Sequence, residues 1–503
     1  MLEGSFAVFL GMRWQPCSIL FVAVVVGAAI GSGQSSNQPR WWSKYEYLSK
    51  HGPSGNGLCG PSVAAGANTD ASNECGPQSE TYIAIDPSSP TRLAGGSNEI
   101  FRLPMRGYAS TGGATWIGVD LPLPPAQGAN GMRFGSDPSL AFDSGGNLFY
   151  SYIVVFFGNG NGVNGTEMAV ARSGDGGHTY PAVTYFSAST GSDHFNDKPM
   201  ITTDTNPASP FRDHVYVSWD AASGGSSGGG IRVARSSDHG QTFNTVRADN
   251  PSGPGRAIGA VPFTGPNGEL YVAWNDYKAS SIMINKSLDG GATWGTPVTI
   301  ASQHIGFDIA IPAQFSRRAL VYPACDADRS ASARRGTLFC SWMDLNGSTT
   351  DIYVSSSTDQ GSTWSAPMLI ADQLGVPVDR FNHWLAVDPI NGDVNVSFYD
   401  TRNDTTGSRY MADIYFTKLP ASASTWLTPN VRVSTQSSNE HDCAGVYPCT
   451  AIDYGNQYGD YAGLASYGGV SYPFWTDSSH NTINAPGCRT NLAMEEVFSA
   501  PVN

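Results

Sequence analysis

Polar residues able to hold or move a proton recur at the starts of short apolar segments in this chain: Glu80, Asp137, Asp197 followed by Lys198, Arg256, Asp308, Asn382 followed by His383, and Asp460 followed by Tyr461. Successive members stand roughly 50 to 80 residues apart, so only a fold that repeats at that interval brings them together. Once together, like-charged acids raise one another's proton affinity and favour a carboxyl that can donate a proton. The same set could hold a substrate, a cation or ordered water. No cofactor is required, and calcium is the one metal left open. A plainer role competes with these, because polar groups at strand entrances also cap backbone groups.

The repeating element is a turn. Ser173-Gly-Asp175-Gly-Gly177-His-Thr179-Tyr180 recurs as Ser236-Ser-Asp238-His-Gly240-Gln-Thr242-Phe243, Ser287-Leu-Asp289-Gly-Gly291-Ala-Thr293-Trp294 and Ser357-Thr-Asp359-Gln-Gly361-Ser-Thr363-Trp364. A worn copy, Ala109 to Trp116, keeps Gly113, Thr115 and Trp116 but has Thr111 in the place of the acid. In such a turn Asp accepts hydrogen bonds from backbone N–H groups, Gly supplies a positive φ, and the terminal aromatic buries itself between strands. These acids therefore read as turn-formers and not as catalysts.

Each turn follows a short strand such as Ile231–Arg235 or Asp351–Ser355. Before that lies a strand ending in an aromatic, as in Val215 to Trp219, Leu270 to Trp274, Leu338 to Trp342, Val394 to Phe398 and Val470 to Phe474. Further upstream is another strand, often joined through an Asn/Gly turn such as Asn267-Gly268. The unit is a four-stranded antiparallel blade. Upstream strands at Glu80–Asp86, Asp137–Asp143, Asp197–Asp204, Arg256–Pro262, Asp308–Ala313, Asn382–Asp388 and Asp460–Ser466 make an all-β, seven-bladed β-propeller the expected fold. Six blades with accessory strands is the alternative, since the last two units lack the turn. The innermost strand of each blade lines a central channel, where the polar starts converge.

The turn resembles the Asp box, S-x-D-x-G-x-T-W, also called the BNR repeat, of sialidases and related carbohydrate-active proteins. The resemblance implies an exo-α-sialidase-like glycoside hydrolase that cleaves terminal acidic sugars, with a glycan or glycoconjugate as substrate and, in sialidase domains of this kind, six blades. Such enzymes use a Tyr nucleophile, a Glu that activates it, an Asp acid/base and three Arg residues that grip the substrate carboxylate. Gly459-Asp-Tyr461-Ala-Gly-Leu464 looks like the G-Y-S-x-L setting of that Tyr, which puts Tyr461 forward as nucleophile, with Asp137 or Asp197 as acid/base and Asp460 beside the substrate. No position aligns with the activating Glu. Glu80 is the one Glu among the strand starts, Glu440 reads as loop, and Asp308 is a shorter-armed substitute. Phe101-Arg102-Leu103-Pro104 looks like the F-R-I-P motif of the first clamp Arg, although it immediately precedes the worn turn; Arg256, Arg380 and Arg402 are the other clamp candidates. Two further readings are a non-catalytic carbohydrate-binding or interaction propeller, and an Asp-box enzyme acting on a neutral or uronic polysaccharide.

Composition bounds these readings. In 503 residues there are 58 Gly, 32 Pro and 11% aromatics but only 14% charged residues, which suits many short strands and tight turns. A net charge of −14 argues against a nucleic-acid partner, which needs a basic surface. Arg13, the apolar run Ile19 to Ile30 and Gly31-Ser32-Gly33 make residues 1–33 an expected signal peptide, and the run is too short to favour a membrane span. Export is the expected location. Residues 34–78 show no blade pattern and are expected to form an arm or cap, with the propeller over 79–503. Removal of the leader takes Cys17 and leaves three close pairs, Cys59 with Cys75, Cys325 with Cys340 and Cys443 with Cys449, with Cys488 over. There is no C-x-x-C or Cys/His cluster for zinc. Oligomeric state is not legible.

Overall fold

The computed structural model describes residues 44–45, 48–49, 52, 62–65, 67–74, 76–128, 131–157, 163–190, 195–221, 229–249, 257–314, 317–441, 458–479 and 495–503. They form seven antiparallel blades. The inner strands are Gln78–Ile85, Met132–Phe142, Asn196–Thr203, Ile258–Thr264, Pro323–Ala327, Arg380–Val387 and Gly463–Tyr467. Each blade runs outward by consecutive hairpins; in blade four, Ile258–Thr264 pairs with Leu270–Asp276, then Ser281–Ser287, then Val298–Ser302. Neighbouring inner strands pack against one another, and that of blade seven packs against that of blade one, so the ring is closed.

Because both faces of a blade are covered by its neighbours, the second strands are buried along most of their length instead of alternating. The aromatics expected at their ends fill the space between blades: Trp219, Trp274, Trp342, Phe398 and Phe474 are all buried. No helix among the described residues is long and apolar enough to cross a membrane.

The four repeated turns share one geometry. Ser173 Oγ accepts the Gly177 N–H at 2.8 Å and donates to Asp175 at 2.7 Å, while Asp175 accepts the Thr179 N–H at 2.9 Å and the Thr179 hydroxyl at 2.7 Å. The pattern recurs around Asp238, Asp289 and Asp359. The glycine that follows each acid has a φ of 97°, 73°, 83° and 83° in turn, a conformation other residues adopt only under strain.

Two features depart from the sequence expectation. Asp308–Ala310 is not an inner strand: it pairs with Arg318–Leu320 as a separate hairpin around the single turn Pro312–Gln314, and Pro323–Ala327 forms the inner strand of blade five. An acid followed by apolar residues mimics a strand start, and the chain spends that segment on an insertion. The 34–78 segment also contributes to the blades. Asn68–Asp70 pairs with Glu496–Ser499, so blade seven is built from both ends of the propeller. Tyr45 stacks on Phe157 at 4.1 Å, and Leu48 joins the apolar cluster of blades two and three.

The expected Cys325–Cys340 disulfide is present, linking the inner and second strands of blade five. The signal peptide, Cys17, Cys59, Cys75, Cys443, Cys449, Cys488 and Arg256 lie outside the described residues.

Candidate active site at the channel mouth

Five inner strands open with the same irregularity, a bulge in which two residues oppose one. The pairs are Glu80–Thr81, Asp137–Pro138, Lys198–Pro199, Gly259–Ala260 and Asn382–His383. The first residue of each is left-handed, with φ of 51°, 61°, 56°, 72° and 43°. Only Gly259 adopts this freely. The other four each cost roughly 1–3 kcal/mol, strain of the kind that collects at functional sites. Gly259 serves a second purpose, because a Cβ there would stand 2.7 Å from the Tyr322 ring.

The bulges deliver their side chains to one place. Lys198 Nζ lies 2.6 Å from Asp460, 3.2 Å from Glu80 and 3.5 Å from Asp137. Arg317, from the insertion, contacts Asp460 at 2.5 Å and Glu80 at 2.9 Å. All five side chains are between 2% and 7% exposed, so these charges are buried and depend on one another. Asn98 locks two of them, donating to Glu80 at 2.9 Å while its oxygen accepts the Asp137 N–H at 2.8 Å. Asp197 accepts the Lys198 N–H at 3.0 Å, and the Tyr461 hydroxyl donates to the Pro138 carbonyl at 3.0 Å.

Three carboxylates facing two cations leave one surplus negative charge in a dry site, which a proton removes most cheaply. Burial, opposed by Lys198, pushes Asp137 above the usual carboxylate range, and burial lifts Asp197 to about 6. Burial pushes Glu80 well above that range too, with Lys198 opposing it. Asp460 touches both cations most closely and Glu80 touches both as well, whereas Asp137 has one longer contact, to Lys198. Lys198 stays charged, since the pull of Asp137, Asp460 and Glu80 outweighs burial. Burial raises Tyr461, with Glu80 and then Asp137 adding to it, so its phenol loses a proton only to an adjacent base.

Four buried polar atoms around this cluster have no hydrogen-bond partner: Asp220 Oδ1, the Tyr322 hydroxyl, Gln314 Oε1 and Asn382 Oδ1. Asp220 pairs across the strand with Asp197, and the Tyr322 ring is 5.8 Å from that of Tyr461. Gln314 and Asn382 both donate to the Gly459 carbonyl, at 3.0 Å and 2.9 Å. The insertion roofs the cluster. On its outer side, Pro312 borders a cavity of about 730 Å³ walled also by Arg409 and by Tyr410 and His441, whose rings stack at 3.7 Å.

Of the residues put forward from the sequence, Asp137, Asp197, Asp460 and Tyr461 meet here. Asp308 does not; it pairs with Arg318 at 2.7 Å on the hairpin. Arg102 is held by Glu74 at 3.2 Å and by Asp120. Arg380 is tied to Asp351 at 2.9 Å and Asp400 at 2.7 Å, and Arg402 to Asp372 at 3.1 Å and Asp400 at 2.7 Å. Among the described residues Arg317 is the arginine of the cluster, and no three arginines converge on it. Arg317 and Tyr322 carry no motif that marks them. Lys198 and Glu80 were visible only as polar strand starts. No group of three or more His, Cys, Asp or Glu among the described residues forms a metal centre.

No family model matches the chain, and no curated protein matches it. Solved structures similar to it include the Hadza microbial sialidase Hz136, at 16% identity over 64% of this chain and 63% of that one, less than two thirds of its length, with a TM-score of 0.43. A leech intramolecular trans-sialidase is similar at 14% identity over 69% and 68% of the two chains, with a TM-score of 0.47. An α-L-arabinanase from Penicillium chrysogenum is similar at 14% identity over 73% and 93%, with a TM-score of 0.40.

Proposed function

We propose that this protein is an exported glycoside hydrolase whose acid–base centre is the Glu80–Asp137–Lys198–Asp460–Arg317 cluster. The observation that carries the reading is the convergence of three carboxylates from three blades on one ammonium, ringed by polar atoms that lack partners. Those unpartnered atoms suit the hydroxyls of a sugar, and carboxyl groups whose environments drive their proton affinities apart suit acid and base roles.

In this mechanism Asp137 protonates the leaving-group oxygen. Tyr461 attacks the anomeric carbon as Glu80 takes its phenolic proton, forming a glycosyl–tyrosine intermediate. Water then displaces Tyr461 with Asp137 as base, and Glu80 returns the proton to the phenolate, so configuration is retained. Lys198 and Arg317 hold Asp460 ionised throughout and favour the ionised form of Glu80 until it takes the phenolic proton. The Cys325–Cys340 disulfide supports an oxidising location.

The sugar is read from the arginines. Arg102, Arg380 and Arg402 are spent on carboxylates elsewhere, and Arg317 is saturated by Glu80 and Asp460. A neutral glycoside fits these residues better than a sialoside or another acidic sugar. The exo-α-sialidase reading stands second, favoured by the seating of Tyr461 beside Glu80.

A panel of fluorogenic aryl glycosides, with a sialoside among them, tests this. One substrate should be turned over, and Asp137→Asn should lower kcat by about 10²–10⁴-fold, with Tyr461→Phe also strongly impaired. Undiminished activity in both variants would remove the cluster from the mechanism. Turnover of nothing on the panel, with glycan binding retained, would replace the hydrolase by a binding propeller.

A further inference from the structure

The cavity on the outer side of the insertion has a wall that no step of the proposed reaction uses. Its volume of about 730 Å³ falls within the roughly 300–1,000 Å³ of small-molecule pockets. Strand pairing builds the wall. Met411 and Ala412 pair antiparallel with Asn439 and Ser438, so the chain enters one strand at Tyr410 and leaves the other towards His441, side by side. The two rings stack at 3.7 Å with an interplanar angle of 14°. His441 is fixed twice more: its Nε2–H donates to the Pro312 carbonyl at 2.6 Å, and its backbone N–H donates to the Asn439 side chain at 3.0 Å. Asp404 staples the loop leading into Tyr410. It accepts the Arg409 N–H at 2.9 Å, the Met411 N–H at 3.1 Å and the Thr406 hydroxyl at 2.7 Å. Arg409 is left-handed, with a φ of 60°, a conformation that a residue other than glycine holds only under constraint.

These constraints aim Arg409 and Tyr410 before any ligand arrives. Arg409 Nε lies 3.1 Å from the buried Asp379, which matches its charge. The guanidinium makes no hydrogen bond among the described residues, and its side chain is 29% exposed, so its N–H fork is open to the cavity it lines. We propose that this wall is a second sugar-binding subsite, which holds a further ring of a neutral glycan. Tyr410, braced by His441, offers flat apolar surface to the C–H face of a sugar ring, and the Arg409 fork donates to neighbouring hydroxyls on that ring. A carboxylate-bearing sugar would add an unmatched negative charge beside Asp379, whereas a neutral ring takes the same hydrogen bonds without it. The insertion that brings Pro312 into this wall also carries Gln314, which donates to the Gly459 carbonyl at 3.0 Å, and Arg317, which reaches Glu80 and Asp460. The two sites therefore share a wall, and one glycan serves both. The class of ligand rests on the glycan reading of the acid cluster, but not on hydrolysis.

Calorimetric titration of the full-length protein tests this, with Asp137→Asn in place of wild type for any probe that is hydrolysed. The neutral probes are xylotetraose, cellotetraose, mannotetraose and arabinotetraose, and the acidic probe is tetragalacturonate. One neutral tetrasaccharide should bind, and the methyl glycoside of its single ring should bind at least several times more weakly. Tyr410→Ala should weaken the tetrasaccharide about tenfold, the upper end of what an aromatic contact supplies. Arg409→Lys keeps a charge beside Asp379 but loses the fork, and should weaken it severalfold. Tyr410→Phe keeps the ring and should bind as wild type does, which separates loss of the platform from loss of the fold. Equal affinity in wild type, Tyr410→Ala and Arg409→Lys overturns the subsite. So does tighter binding of tetragalacturonate than of every neutral probe, or binding of none. A protein that binds in the expected pattern and hydrolyses nothing overturns the hydrolase reading alone, whereas one that hydrolyses an aryl glycoside and binds no tetrasaccharide overturns the subsite alone.

Discussion

The outer turns and the channel mouth use the same side chain to opposite ends. In the turns slight burial pulls Asp175, Asp238 and Asp289 upward, but hydrogen bonds from the neighbouring Thr and Ser outweigh it; at Asp359 the hydrogen bonds from Thr363 come first, with Ser357 adding to them, and all four lie at about 2. At the mouth burial dominates, and Asp137 and Asp197 are pushed up. The turns repeat because each blade needs one. The mouth does not repeat, since its five members are Glu, Asp, Lys, Asp and Arg, each from a different element. Repetition therefore marks scaffold, and departure from repetition at one level of the ring marks chemistry.

Breaking the mouth should cost far more than breaking a turn. Lys198→Met leaves three buried carboxylates with Arg317 alone, and urea unfolding should show a loss of about 3–5 kcal/mol. An unchanged midpoint would mean that the carboxylates are protonated in the fold and that the ammonium does little.

The next effect depends on pH. His383, in the bulge of blade six, is pulled down to about 4 by burial, with a backbone hydrogen bond opposing. The unfolded chain takes up a proton below about 6.5 that the fold refuses, so this stabilisation is complete above 6.5 and fades as pH falls towards 4, a change on the order of 3 kcal/mol. Asp197 acts with the opposite sign: raised to about 6, it favours the fold at low pH and loses that contribution as pH rises from its unfolded value through 6. The two offset each other in the wild type. His383→Asn should therefore expose a stability that falls steadily as pH rises from 4 to 6, and identical pH profiles for the two proteins would show that the imidazole titrates normally.

The smallest effect belongs to the turns. Asp289→Ala removes acceptors for the Thr293 N–H and hydroxyl at an exposed site and should cost about 1 kcal/mol in the same unfolding assay, with catalysis unchanged. A loss of activity there would end the division between scaffold and chemistry.

The fold was legible because turn chemistry is local: Ser, Asp, Gly and Thr satisfy one another within a few residues, and the flanking strands follow from the pattern. Six of the seven inner strands could be placed from it. The strand of blade five was hidden, because Asp308 to Ala313 imitates the start of an inner strand while Pro323–Ala327 has no acid at its head. The mouth was half legible. Asp137, Asp197, Asp460 and Tyr461 stood at strand starts, but the left-handed conformation of Glu80, Asp137 and Lys198 is imposed by tertiary packing on residues that do not favour it, and composition gives no sign of it. Arg317 could not be found at all, because it enters from an insertion whose position is set by the ring it covers. The clamp arginines failed for a related reason: an Arg beside a strand start is as readily claimed by a nearby Asp as by a ligand, and Asp400 claims both Arg380 and Arg402.

The seam in blade seven governs how the molecule comes into being. The Val497 N–H is bonded to the Ser72 hydroxyl, 425 positions away along the chain. On a ribosome the earlier partner emerges first and must wait, unpaired, until nearly all of the remaining blades have been made. Closing this seam then joins segments from nearly opposite ends of the described chain, a slow step of high contact order. A nick between two blades leaves neighbours to hold the pieces, but trimming either terminus past this seam strips outer strands from blade seven and leaves an unpaired strand edge there, so the lifetime of the protein is set at its ends.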